Sequence, residues 1–123
     1  FIDFSESNDN NGWIIKGIAK EKQLIGFTMY GFSEELTAYE LCRFMIDDRY
    51  QGKGYGKRAL QIIIDEMFHS YGCEKIYLST DPNNLRGKYI YGNAGFVPTG
   101  ETCGEGDDIE DIFCLITDNS TFK

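Results

Sequence analysis

Hydrophobic and polar positions along the chain fall into runs whose period changes twice. "WIIKGIAK" (13–20) and "LIGFTMYGF" (24–32) are rich in β-branched and aromatic residues and flank the polar turn "EKQ", which predicts an antiparallel hairpin. After the polar connection "FSEEL", "AYELCRFMID" (38–47) predicts a third strand. Beyond residue 56 the period becomes helical. Leu60, Ile63, Ile64, Met67 and Tyr71 form one stripe, and Gly72 supplies a stop. "KIYLST" (75–80) predicts another strand, and "DPNN" carries turn and helix-cap chemistry. A helix from about Leu85 to Gly92, terminated by Gly95, follows. "GFVPTGE" and "DIEDIFCLIT" (108–117) read as two closing strands, and residues 1–12, polar after the first four, as a lead-in.

The predicted order is β-β-β-α-β-α-β-β, an α+β domain around a mixed sheet. The strand, glycine loop, helix and strand in the middle suggest a parallel pair joined by a crossover. With 123 residues the chain is expected to form one domain, 1–123, with its core in 13–117. It opens on Phe1 rather than Met, as a piece of a longer chain would. No signal-peptide pattern is visible, and the apolar runs fall far short of the roughly 20 residues that span a bilayer.

Charge narrows the function classes. Twenty acidic residues against 12 basic ones give a net charge of −8, which argues against a duplex nucleic-acid binder. It suits a cationic partner, although an acidic surface also serves solubility alone. Cys42, Cys73, Cys103 and Cys114 form no C-x-x-C pair, and one histidine accompanies them. No zinc site is expected; the thiols read as reduced and the compartment as cytoplasmic.

The chemistry concentrates in "DDRYQGKGYGKRAL" (47–60), where Gly52, Gly54 and Gly56 alternate between a strand and a helix. A dinucleotide fingerprint fails, because Lys57 stands where its third glycine is needed. A Walker loop fails too: the spacing to Gly56-Lys57 is one residue short, and Arg58 replaces the magnesium-binding hydroxyl. The pattern Q/R-x-x-G-x-G/A fits in full through Gln51, Gly54 and Gly56. Small residues let such a loop wrap an anion, whose charge the N–H groups of the helix N-terminus attract. Lys53, Lys57 and Arg58 add charge at the rim. A glycine-rich turn with solvated lysines is the alternative reading.

With these residues in place, "CRFMIDDRYQGKGYGKRAL" and "NNLRGKYIYGNAGFVPTGE" resemble the GNAT superfamily of acetyl-CoA-dependent N-acetyltransferases. Within it the wording is most similar to bacterial spermine/spermidine (diamine) acetyltransferases, over about Trp13 to Thr117. The resemblance implies a GNAT-like mixed, mostly antiparallel sheet with a splayed parallel strand pair and flanking helices. It implies acetyl-CoA as co-substrate, no metal, a small and polycationic amine as acceptor, no nucleic-acid or membrane partner, and a homodimer. The superfamily's usual N-terminal strand and two helices have no counterpart in the twelve residues before Trp13, and are expected to be absent or truncated.

The resemblance also distributes roles. Main-chain groups of Phe44, Met45 and Ile46 would bond the pantetheine arm, and Gln51, Gly52, Lys53, Gly54, Tyr55, Gly56 and Lys57 would hold the diphosphate. The spacing N-x₆-Y-x₃-G-F matches the superfamily's pattern, and the resemblance implies that Asn84 bonds the pantetheine and Tyr91 faces the coenzyme sulfur, where a phenol can donate to the departing thiolate. Tyr89 is the decoy two residues away. Asn84 equally suits a helix N-cap after Pro82, and Tyr91 a half-buried helix aromatic. Glu40 and Glu35 are candidates for the base that deprotonates the amine. Cys42 departs from the superfamily, which often carries a strand carboxylate nearby. By strand alternation Glu40 is expected to share a face with Cys42 and Phe44. The leading reading is direct acetyl transfer in a ternary complex, since no cysteine stands at a nucleophile's position. The alternatives are a non-catalytic acyl-CoA-binding or regulatory module, and an acetyltransferase for protein or antibiotic amines.

Overall fold

Glu21 and Lys22, both at positive φ, close a two-residue hairpin of the kind whose twist matches paired strands. This turn sets the register of the sheet's first half. The computed structural model describes residues 2–8 and 12–117. Among these residues seven strands form one sheet: β1 Ile2–Asn8, β2 Ile14–Lys20, β3 Gln23–Ser33, β4 Ala38–Ile46, β5 Lys75–Thr80, β6 Val97–Cys103 and β7 Glu110–Ile116. Their spatial order is β1-β2-β3-β4-β5-β7-β6, and every pairing is antiparallel except β4 with β5. Helix α1 (Tyr55–Tyr71) crosses between those two strands, and α2 (Leu85–Asn93) connects β5 to β6.

The mixed sheet, the crossover and both helices match the sequence expectation. The lead-in does not. Residues 2–8 form β1, paired along their whole length with β2, from Ile2 opposite Lys20 to Asn8 opposite Ile14. The stretch read as a lead-in therefore adds a strand to the edge of the sheet. An edge strand covered on one side tolerates polar residues. Ser5, Glu6, Ser7 and Asn8 give it no alternating apolar pattern, which hid it; Phe4 packs against the core.

The α1 stripe is buried as its periodicity predicts. Leu60, Ile63, Ile64 and Met67 pack on Tyr30, Leu41, Ile76, Leu78, Phe96 and Phe113, and Tyr71 stacks on Tyr39 with centroids 4.4 Å apart. Gly72, left-handed at φ 60°, ends the helix by donating its N–H to Phe68. One polar group interrupts this apolar seam. Lys16 donates to both carboxylate oxygens of Glu66 at 2.6 Å, and the Tyr30 hydroxyl donates to the same carboxylate at 2.5 Å. Partial burial works against the Glu66 charge, but these bonds outweigh it and hold its carboxyl below the usual range.

The second half of β4 carries a bulge. Leu41 faces Tyr30 and Arg43 faces Met29, so Cys42 is the extra residue. Alternation therefore shifts by one. Leu41 belongs to the core face before the bulge and Phe44 packs against that same core after it, whereas Glu40 lies on the opposite face. The expected common face for Glu40 and Phe44 is corrected by this insertion.

The Lys16–Glu66–Tyr30 group ties β2 and β3 to α1. Glu66→Gln is expected to lower unfolding stability at neutral pH by roughly 1–3 kcal/mol, the cost of leaving buried donors poorly satisfied. Because the folded-state pKa of Glu66 is depressed, its contribution is present above the unfolded carboxylate pKa and lost as pH falls through the folded one. Urea unfolding over a pH series checks both. Stability that falls with acid equally in the variant and the parent would remove Glu66 from the account.

Candidate active site

Two parallel strands that stay together share a continuous ladder. Here β4 and β5 register at one pair only, Glu40 with Tyr77. Beyond it the strands part, and the space between their C-terminal ends opens into a cleft of about 770 Å³. Its walls come from the end of β4 (Phe44, Met45, Ile46), from the glycine loop and α1 (Gln51, Gly52, Gly54, Gly56, Lys57), and from α2 with its cap, including Asn84, Arg86, Tyr89 and Tyr91. Open α/β sheets bind ligands at such a strand divergence.

The loop is built to present N–H groups. Asp47 caps the short helical turn Asp48–Tyr50 by accepting from the Arg49 N–H, and it pairs with the Arg49 side chain. The Gln51 amide donates to the Ile46 carbonyl at 2.8 Å and to Asp48 at 3.1 Å. Its side chain thus braces the loop against the end of β4. Gly54, at φ 85°, is the N-cap of α1, and its carbonyl accepts the Arg58 N–H. The N–H groups of Tyr55, Gly56 and Lys57 are left without helical partners at the positive end of the helix. No atom stands within 4 Å of the place a Gly54 Cβ would occupy, so backbone conformation, not crowding, calls for glycine there. Gly56 differs: a Cβ would meet Ile46 and Ile90 at ordinary contact distances, 3.5 and 3.8 Å.

Two residues expected in this site turn their side chains elsewhere. The Lys53 ammonium lies 6.0 Å from the Tyr50 ring centroid, and Tyr55 packs toward Tyr50 and Lys20; neither lines the cleft. Asn84 does what its alternative reading supposed. Its Oδ1 accepts the Gly87 N–H at 2.9 Å as the N-cap of α2, and its Nδ2 donates to Thr80 at 3.0 Å. It lines the cleft while holding α2 to the end of β5. Tyr91 projects into the cleft with its ring edge-on to Phe96 at 6.2 Å. Burial raises its phenol above the usual value, so it stays protonated through neutral pH. Tyr89 also lines the cleft but is 71 % exposed.

Glu40 and Glu35 are not in the cleft walls. Glu40 sits at the last paired position of β4 and β5, half-buried on the face away from the helices. Burial raises its carboxyl above the usual range, a hydrogen bond with Ser33 opposes this, and Glu35 and Glu110 raise it further. The acidic stretch near the last strand splits between two faces. Glu110 accepts from Ser79 at 2.8 Å on the Glu40 side, while Asp111 pairs with Lys88 of α2 at 3.2 Å. Leu85, Arg86, Gly87, Ile90 and Asn93 complete the cleft and escaped the sequence reading, while Tyr89, read as the decoy, lines it too. The four cysteines are free, and among the described residues no cluster of His, Cys, Asp and Glu could hold a metal ion. No described helix is long and apolar enough to cross a membrane.

The sequence matches the acetyltransferase (GNAT) family over residues 1–96. The chain belongs to that family. It is 38 % identical over 99 residues to the spermine/spermidine N(1)-acetyltransferase of Bacillus subtilis (strain 168), covering 76 % of this chain and 65 % of that one. It therefore spans just under two thirds of the length of that relative. It is 35 % identical over 63 residues to the spermidine N(1)-acetyltransferase of Escherichia coli (strain K12), covering 51 % and 34 % of the two chains. The fold recurs in a Bacillus subtilis acetyltransferase solved in complex with CoA (TM-score 0.75, 14 % identity, 94 % of this chain and 97 % of that one). It recurs again in an Elizabethkingia anophelis GNAT protein solved with acetyl-CoA (TM-score 0.74, 12 % identity, 94 % and 98 %).

The loop geometry makes a discriminating prediction with CoA as the probe. Gly54→Val, which forces a branched residue to a positive φ, is expected to weaken CoA binding about tenfold or more, whereas Gly56→Ala is expected to keep it. Calorimetry on both folded variants checks this, and equal affinities would show that the left-handed cap is not what the ligand needs.

Proposed function

We propose that this chain transfers an acetyl group from acetyl-CoA to a primary amine, a polyamine such as spermidine or spermine, by direct attack in a ternary complex. The observation that carries this is the cleft itself: diverging strands, a braced loop of free N–H groups and a protonated tyrosine meet in one place. Relatives named spermine/spermidine acetyltransferases support the choice of acceptor. In this reading the main chain of Phe44 to Ile46 bonds the pantetheine arm as an added strand would. The loop from Gln51 to Lys57 holds the diphosphate, with Lys53 and Tyr55 contributing through their main chain, and Asn84 orients α2 beside the pantetheine.

Chemically, the amine nitrogen attacks the thioester carbonyl carbon, the carbon–sulfur bond breaks, and the electron pair leaves on sulfur. The Tyr91 hydroxyl stabilises that thiolate by hydrogen bonding or proton donation. A protonated amine with a pKa near about 10 must first lose its proton. Glu40, whose carboxyl is raised by burial, is our candidate acceptor for that proton through water, with Glu35 as the second. The carboxylates Glu35, Glu40 and Glu110 on that face would attract a cation. A cytoplasmic location and a homodimer go with this reading; the free cysteines favour the first, and the exposed edge strand β6 leaves room for the second.

A non-catalytic acyl-CoA-binding module is the second reading, favoured by the position of Glu35 and Glu40 outside the cleft walls. Acetyl-CoA turnover measured with spermine, spermidine, short diamines and a lysine peptide separates the two. CoA binding without turnover on any amine would select the module.

If the enzyme reading holds, Tyr91→Phe is expected to lower kcat about 10²–10⁴-fold with little change in CoA affinity, and Tyr89→Phe much less. Equal kcat values for the two variants would remove Tyr91 from the chemistry. The KM for spermidine is expected to rise more steeply with salt than that of a monoamine as the Debye length shrinks to about 8 Å and below. Parallel salt curves, or no acetylation of any polyamine, would overturn the acceptor assignment and leave acetyl transfer standing.

A further inference from the structure

The cleft has two walls, and its charge is not where the sequence alone suggests. Among the residues lining it, Lys57 on the α1 side and Arg86 on the α2 side are the charged ones, and both are cationic in a chain of net charge −8. Lys53 is occupied over the Tyr50 ring, and Lys88 is paired with Asp111. Arg86 makes no ion pair among the described residues. It leaves the first turn of α2 and reaches back across the cleft mouth. Its Nη2 stands 3.4 Å from the place a Cβ on Gly52 would take. Gly52 is at φ 78°, in the bend just before the open N–H groups of α1.

A guanidinium presents its N–H groups as a planar fork that matches two oxygens of a phosphate. Opposite it, the loop offers main-chain donors and the helix dipole. An anion in this gap meets donors from both sides and no carboxylate in the walls. We propose that Arg86 is a ligand-binding residue that closes the phosphate site from the α2 side and grips the diphosphate of CoA, not its 3′-phosphate. The inference rests on the acetyl-CoA reading of the cleft. The diphosphate is assigned because the guanidinium lies against the same loop whose N–H groups are free. Gly52 is glycine for its left-handed φ of 78°, and a Cβ there would meet the guanidinium only at ordinary contact distance.

The test compares three ligands that lose phosphates stepwise: CoA, dephospho-CoA, which lacks only the 3′-phosphate, and pantetheine, which has none. Calorimetry serves the first two and an NMR titration the third. Arg86 is exposed, so Arg86→Ala is expected to leave the fold intact. It should weaken CoA and dephospho-CoA alike, by about tenfold to a hundredfold as befits a charge-assisted hydrogen bond, and leave pantetheine unchanged. Arg86→Lys should fall between, keeping the charge and losing the fork. A loss seen with CoA and absent with dephospho-CoA would assign Arg86 to the 3′-phosphate and overturn the proposal. So would unchanged affinity for all ligands, or an equal loss that includes pantetheine. If the unsubstituted chain binds neither CoA nor dephospho-CoA, the acetyl-CoA reading itself fails, and this inference with it.

Discussion

Main-chain N–H and C=O groups inside a sheet need partners, and β4 parts from β5 after a single registered pair, Glu40 with Tyr77. Everything at the site follows from that separation. On one side β4 stays paired with β3 from end to end apart from the bulge at Cys42, which holds the strand away from β5. On the other, α1 packs its apolar stripe across the seam and holds the gap open from behind. Gln51, bonded to the Ile46 carbonyl, fixes the loop at the point where the strand ends. The open edge and the N–H-rich helix start are thus one continuous surface, suited to an extended ligand with amides at one end and phosphates at the other.

The same sheet sorts charge by face. Strand alternation sends Glu110 and Asp111, neighbours in sequence, to opposite sides. Asp111 meets Lys88 on the helix side, while Glu110 joins Ser79 near Glu40. The helix side is left with cations at the cleft mouth and the far side with carboxylates beside the strand junction. In our reading an anionic coenzyme and a cationic acceptor would approach from those two sides and meet where the strands divide.

Strong periodicity was legible in the sequence. The strand 75–80 is found with the bounds read from its residues, and the α1 stripe lies in the core position by position. What escaped had physical reasons. β1 is an edge strand whose sequence is polar after Phe4, so it lacks the alternation that marks a half-buried strand. The bulge at Cys42 has no glycine or other local signature, yet it reverses the face of every later residue in β4. Arg86 and Gly52 are brought together by tertiary packing alone, which no local pattern records. Asn84 shows the opposite situation. Cap and cleft wall were read as alternatives, and one side chain occupies both positions.

Tyr91 couples the fold to the proposed chemistry. α2 rests on the core through Ile90, Tyr91 and Ala94, and its end is tied by the Phe96 N–H bonding the Tyr91 carbonyl at 3.0 Å. Phe96 is buried and meets the Tyr91 ring edge-on. The packing that anchors the helix also buries the phenol, and that burial raises its pKa. A more weakly acidic phenol gives up its proton less readily and remains a hydrogen-bond donor through neutral pH. Tyr89, on the exposed face of the same helix, shares the residue type and the cleft but has neither the anchor nor the desolvation. Burial, more than spacing along the helix, separates the two tyrosines.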